Sequence, residues 1–392
     1  MPLVFVHGVG AREGPGFEDA VAARDALFRR FMLARVLADP AAAAISNPYW
    51  GRHGARPAWS HASLPGDEVE ALGPEDEVLA MVGAPVLEEG DEAPLLGAAR
   101  RSLEEAVDLL WATASDEPGG AEELAGLAVR AVDYARNEPD RTWLAEVGSD
   151  EEFLAELERR VDAWTPSSAP GVEEAAGYEA LGGAETWARI GEAADRIRGF
   201  VGRLAGRAVV EVARSPAHKR TALFLGDILV YLRERGTAEA PGDIVRDVAG
   251  ALDGARAAVR PEDPRVIVVA HSMGGNIVYD LLTHFRPDLR VDLLATVGSQ
   301  VAFFEELKLF LESDGAVPAK PTDRVSKPAN VDRWINIFDR NDILGFAGEG
   351  VFSGVEDYDY STGKGLLFAH TTYFLRPSFH DRLGERVAGS PR

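Results

Sequence analysis

The chain contains no cysteine. Disulfides, thiolate nucleophiles and cysteine-bound metals are therefore excluded, and any covalent nucleophile has to be an oxygen or an amine. Long apolar runs are missing as well. No window resembles a membrane span, and residues 1–8 (MPLVFVHG) carry neither a basic leader nor a cleavage site before entering a strand-like pattern. The expectation is a cytoplasmic chain without integral membrane association. Basic residues are in the minority, 41 Lys and Arg against 64 Asp and Glu, for a formal net charge of -23. A field of that sign opposes nucleic acids and anionic membrane surfaces. There is no HExxH and no paired-histidine zinc spacing, and STGKG at 361–365 lacks the order of a phosphate loop. Neither a metal nor a cofactor is expected.

What is present is a core. With 392 residues, 46% of them hydrophobic and 27% charged, the chain suffices for one large domain with an insertion or for two domains. LVFV at 3–6 is short and β-prone and leads into the glycine-rich HGVGAREGPG. Helical spacing follows from about Ala20 to Leu37, then a short strand pattern over Ala43–Gly51. Composition shifts near Ser63, and Ala/Glu/Arg-rich helical stretches, broken by Pro/Gly/Ser clusters at 117–120 and 166–171, run to about Arg220. Alternation then resumes: helices over 224–235 and 244–259, a strand from Arg265, a helix over 275–285, a strand from Leu293, a helix over 303–311 and a strand from Trp334. Strands alternating with helices predict a doubly wound α/β core with a mainly parallel sheet. The expected division is a core of residues 1–62 and 221–392, with 63–220 as a helical insertion.

The chemistry centres on VAHSMGG at 269–275, a serine in a small-residue turn between a strand and a helix. A serine hydroxyl is a weak nucleophile until a base takes its proton, and a strained strand-to-helix turn lifts it clear of the backbone. Ala270 stands where the G-x-S-x-G pattern has its first glycine, one methyl larger. Ser272 is thus the candidate nucleophile. The backbone N–H of Met273 is placed for an oxyanion, with Gly8 or Val9 as the second donor from the loop after the first strand. An acid after a later strand and a final histidine complete the order that accompanies this turn. Asp342 is the candidate acid, with Asp339 as its rival and Asp357 and Asp359 as weaker ones. His370 is the candidate base. Its rival His380 lies beside Asp381 and Arg382, which suits a salt-bridged surface helix. His271 and His7 are expected to be structural, His7 orienting the oxyanion loop. Trp50, Trp59, Phe346, Phe352 and Phe368 are candidates for an acyl pocket or, more simply, for core.

Through LVFVHGVG at 3–10, AHSMGG at 270–275 and the pair DIL at 342–344 and HTTYF at 370–374, the sequence resembles the α/β-hydrolase superfamily, most closely its lipase/esterase-type members. The likeness covers about residues 1–60 and 220–380. It implies a serine hydrolase acting on a small-molecule or lipid-like ester, in a sheet lacking the family's first strands and with the insertion as a large helical cap over the carboxyl edge. The same residues suit a thioesterase, amidase, peptidase or acyltransferase. A non-catalytic interaction module, with the insertion binding a protein partner, is the alternative of another class.

Overall fold

The structure is a computed structural model that describes residues 1–60, 62, 93–115, 120–138, 141–164, 183–203, 208–261, 263–363 and 369–389. The start of the insertion, the 166–171 cluster and Phe368 fall outside the described residues.

Strands β1 (Leu3–Val6), β2 (Ile45–Ser46), β3 (Ile267–His271), β4 (Val291–Val297), β6 (Val331–Phe338) and β8 (Val355–Asp359) form one sheet in the order β2-β1-β3-β4-β6-β8. Every pairing in it is parallel. Two short strands, β5 (Val325–Ser326) and β7 (Phe352–Ser353), pair separately. Parallel strands are covered on both faces, which is why LVFV and IVVA read as unbroken apolar runs rather than alternating ones. Val4, Val6, Val268, Ala270 and Trp334 face one way, toward Val245, Val248 and Leu252 of the helix Asp243–Ala257 and Ile277 and Val278 of the helix Met273–Asp280. Leu3, Phe5, Val269, Ala295 and Ile335 face the other way, toward Phe28, Met32 and Leu33 and toward Phe379, Leu383 and Val387 of the helix Pro377–Ala388. The chain steps from β1 to β2 on one side and returns to β3 on the other, so the β1–β3 boundary is where the winding reverses. Crevices form there, at the carboxyl ends of the strands.

The described part of the insertion has a core of its own, built by the helices Pro94–Arg101, Leu103–Ala114, Ala121–Asn137, Asp150–Ala163 and Gly183–Arg203. Ser102 caps the second of these by accepting the Glu105 N–H at 3.2 Å, and Leu103, Val107, Leu110 and Trp111 follow at helical spacing on the buried side. This core includes Ala26, Leu27 and Phe31, so the helix Phe17–Leu27 and its continuation are buried from two sides. These helices dock on the flank of the sheet unit. Arg136 pairs with Asp381 and Glu385, Glu104 with Arg382 at 2.7 Å, and the buried Asp108 with the buried Arg376 at 3.2 Å. Asp108 also accepts from the backbone N–H and hydroxyl of Ser378. Truncating Asp108 to alanine strands a buried guanidinium, which costs about 3–5 kcal/mol. Urea unfolding of Asp108→Ala should show a loss of that size, and a shift below about 1 kcal/mol would mean that this contact does not hold the two units together.

Three expectations change. The composition-based boundary at 220/221 falls inside the helix Ala208–Glu234, because a change in residue usage does not stop a helix. The helix expected over 303–311 spans Val301–Glu306 and ends before Lys308, which takes φ 54°. His380 is not on a surface helix: it is fully buried, edge-on to Phe28 at 4.8 Å, with Nε2 bonded to the Phe374 carbonyl at 3.0 Å. Its helix lies between the sheet and the insertion, so both of its sides are covered. Among the described residues no helix is long and apolar enough to cross a membrane.

Candidate active site

Ser272 follows β3 with φ 53° and ψ −128°, a conformation that costs a non-glycine residue about 1–3 kcal/mol. The turn packs too tightly for side chains. A Cβ on Gly8 would sit 2.7 Å from the Ser272 Cβ, one on Gly274 would meet the Val6 carbonyl, and one on Gly275 would meet Ser299. Ala270, by contrast, lies within the strand, paired in register with Val6 and Thr296, where a methyl group is accommodated. Ser299 closes the turn by donating its hydroxyl to the Ser272 carbonyl at 2.8 Å.

His370, on the short helix Ala369–Thr372, places Nε2 2.8 Å from Ser272 Oγ and Nδ1 2.9 Å from Asp342 Oδ2. Asp342 is in the loop after β6, almost fully buried, and its Oδ1 accepts the Leu344 N–H at 2.9 Å. Burial works against its ionisation, but the His370 imidazole, the Leu344 N–H and the Tyr373 hydroxyl outweigh it and hold the carboxyl below the usual range. Room for this contact comes from Gly298 at the end of β4, which takes φ 53°; a Cβ there would lie 2.8 Å from Asp342 Oδ2 and 3.4 Å from His370 Nδ1.

The rival residues are engaged elsewhere. Asp339 accepts the Thr362 N–H and hydroxyl, each at 2.6 Å, and the Asn341 N–H at 2.8 Å, pinning the segment that leads toward His370. Asp357 holds the Gly348 and Glu349 N–H groups, and Asp359 pairs with Arg340 on the surface. His271 donates Nε2–H to the His370 carbonyl at 2.8 Å; burial lowers its pKa to about 3, so it stays neutral. His7, lowered to about 4 by burial, donates Nδ1–H to the Gly8 carbonyl at 2.7 Å and stacks on Trp50 at 4.8 Å. Of the aromatic candidates, Trp50 and Phe352 are core, Trp59 is exposed, and Phe346 stacks on Phe303.

The loop after β1 has a further brace, Asp227. Fully buried in the helix Ala208–Glu234, it accepts from the Gly10 N–H at 2.9 Å, the Ala55 N–H at 2.7 Å and Arg12 at 2.6 Å. Sequence reasoning passed over it, although one acid within the apolar FLGDILV at 224–230 was the available signal. Among the described residues, the backbone N–H groups of Gly8, Val9 and Met273 donate to no protein acceptor. They lie at the two facing loops that Gly8 and Ser272 bring together. Also among the described residues, no group of three or more His, Cys, Asp or Glu is arranged to hold a metal ion.

The arrangement can move a proton from Ser272 Oγ to His370 while Asp342 carries the balancing charge. No protein-family model, no curated protein and no solved structure matches the chain.

Proposed function

We propose that the protein is a serine hydrolase of the α/β-hydrolase type that cleaves a carboxylic ester through an acyl-enzyme on Ser272. The observation that carries this reading is the continuous line from Ser272 Oγ to His370 Nε2 at 2.8 Å and from His370 Nδ1 to Asp342 at 2.9 Å, starting from a strained turn. In the first step His370 Nε2 takes the Ser272 proton as Oγ attacks the ester carbonyl carbon. The oxyanion is held by the N–H of Met273 and that of Gly8 or Val9, free donors that need no reorganisation when charge develops. The intermediate then collapses, the C–O bond to the alcohol breaks, and His370 returns the proton to the leaving oxygen. Water repeats the sequence on the acyl-enzyme, releasing the acid and restoring Ser272.

An apolar, lipid-like substrate is favoured by the side chains on the segments that follow β4 and β6 at their carboxyl ends. Ile343, adjacent to Asp342, is 57% exposed, Leu307 is 52% exposed, and Phe303 stacks on Phe346 at 4.9 Å. Glu105 of the insertion packs against Gly363 of the sheet unit.

The test is covalent. A fluorophosphonate should add its mass to the peptide that contains Ser272, and p-nitrophenyl esters should be hydrolysed faster as the acyl chain lengthens from acetyl. A native protein that neither takes the label nor turns over any ester, thioester or amide would sink the proposal.

A further inference from the structure

One buried hydroxyl touches the acid without a part in the proton transfers above. Tyr373, fully buried, follows His370 by three residues, so the turn that carries the base also carries the phenol to the same carboxylate. Its Oη accepts the Asp339 N–H at 2.8 Å and lies 2.9 Å from Asp342 Oδ2. A phenol has one proton. With the amide N–H occupying a lone pair, that proton points at Asp342, and Oδ2 therefore receives two donors, Tyr373 Oη–H and His370 Nδ1–H. Burial, then the charge of Asp342, pushes the hydroxyl far above the ordinary phenol range, so it remains a donor. The other titratable groups facing the ring are His271, its ring centre 6.3 Å away and neutral, and Tyr360 at 6.4 Å, also held protonated by burial. Asp342 and Asp339 are thus the charges that the hydroxyl meets.

We propose that Tyr373 is a positioning residue for the hydrolytic reaction, tying the Asp342 carboxylate to the end of β6 and dividing its charge between phenol and imidazole. This rests on the reading of Ser272, His370 and Asp342 given above. Without the hydroxyl, the carboxylate directs more of its charge to His370 and loses its tether to the Asp339 backbone.

Tyr373→Phe keeps the ring, including its contacts with Phe379 at 5.8 Å and His271. The expected result is a kcat lower by about 10- to 100-fold, the worth of one hydrogen bond to a charged group, at unchanged KM. The downfield proton resonance of His370 Nδ1–H, recorded on the protein alone, should move further downfield. Tyr360→Phe is the control: it removes a hydroxyl bonded to Ser378 at 2.8 Å from the same aromatic cluster and should leave kcat and resonance in place. A Tyr373→Phe protein that only melts earlier, with kcat and resonance unmoved, overturns the proposal. A wild-type protein that is neither labelled nor active overturns the hydrolytic reading instead, and the resonance comparison still decides whether Tyr373 acts on the Asp342–His370 pair.

Discussion

Ser272→Ala should lower ester turnover on the order of 10⁵- to 10⁶-fold and abolish fluorophosphonate labelling, while leaving the protein folded. The loss is that large because the hydroxyl begins the first half-reaction, and without it no acyl-enzyme forms for water to attack. The donors at Met273 and the loop after β1 remain and should sustain a residual rate roughly 10³-fold over water. Stability separates the parts of the turn. Alanine keeps a Cβ at φ 53°, so the backbone strain persists and only the bond from Oγ to His370 is lost. Ser272→Gly removes the strain as well and should be more stable than Ser272→Ala by roughly 1 kcal/mol, though equally inactive. Turnover and labelling that survive in Ser272→Ala would place the nucleophile elsewhere and remove the basis for the mechanism.

Much of this site was legible because its parts are local. The apolar runs at 3–6 and 266–270 announce buried parallel strands, and a serine among small residues between strand and helix announces a strained turn, since both depend on neighbours within a few positions. Asp339 and Asp342 were not separable by such means. They stand three residues apart after the same strand, and the choice depends on Thr362, which meets Asp339 across the fold and fills its carboxylate. His380 was misplaced for a related reason. Asp381, Arg382, Glu385 and Arg386 mark a solvated helix in isolation, whereas Asp381 and Glu385 pair with Arg136 of the insertion and the side beneath packs on the sheet. Burial from two sides is a property of the third layer, which no periodicity in residues 377–388 encodes. Asp227 and Gly298 were missed because each serves a partner distant in sequence, Gly10 in one case and Asp342 in the other.

Asp342→Asn should lower kcat by about 10⁴-fold with the fold intact, whereas Asp339→Asn should act mainly on stability. At position 342 the carboxylate accepts from Leu344 on Oδ1 and from His370 and Tyr373 on Oδ2. An asparagine has one acceptor oxygen. If it stays with the Leu344 N–H, the amide NH₂ faces His370 Nδ1 and stabilises the tautomer that carries its proton on Nε2, which then cannot receive the Ser272 proton. The same substitution alters the acid limit of stability. The folded-state pKa of Asp342 is depressed, so the ionised carboxylate contributes stability that is fully present above its unfolded value of about 3.9 and is lost as pH falls through the lower folded value. Asp342→Asn removes that contribution, and its unfolding free energy should fall less steeply than that of the wild type below about pH 4. At Asp339 the amide would weaken the grip on Thr362 and Asn341, so urea unfolding should move while turnover per folded molecule stays within about tenfold. Activity that collapses in Asp339→Asn and survives in Asp342→Asn would reverse the assignment of the acid.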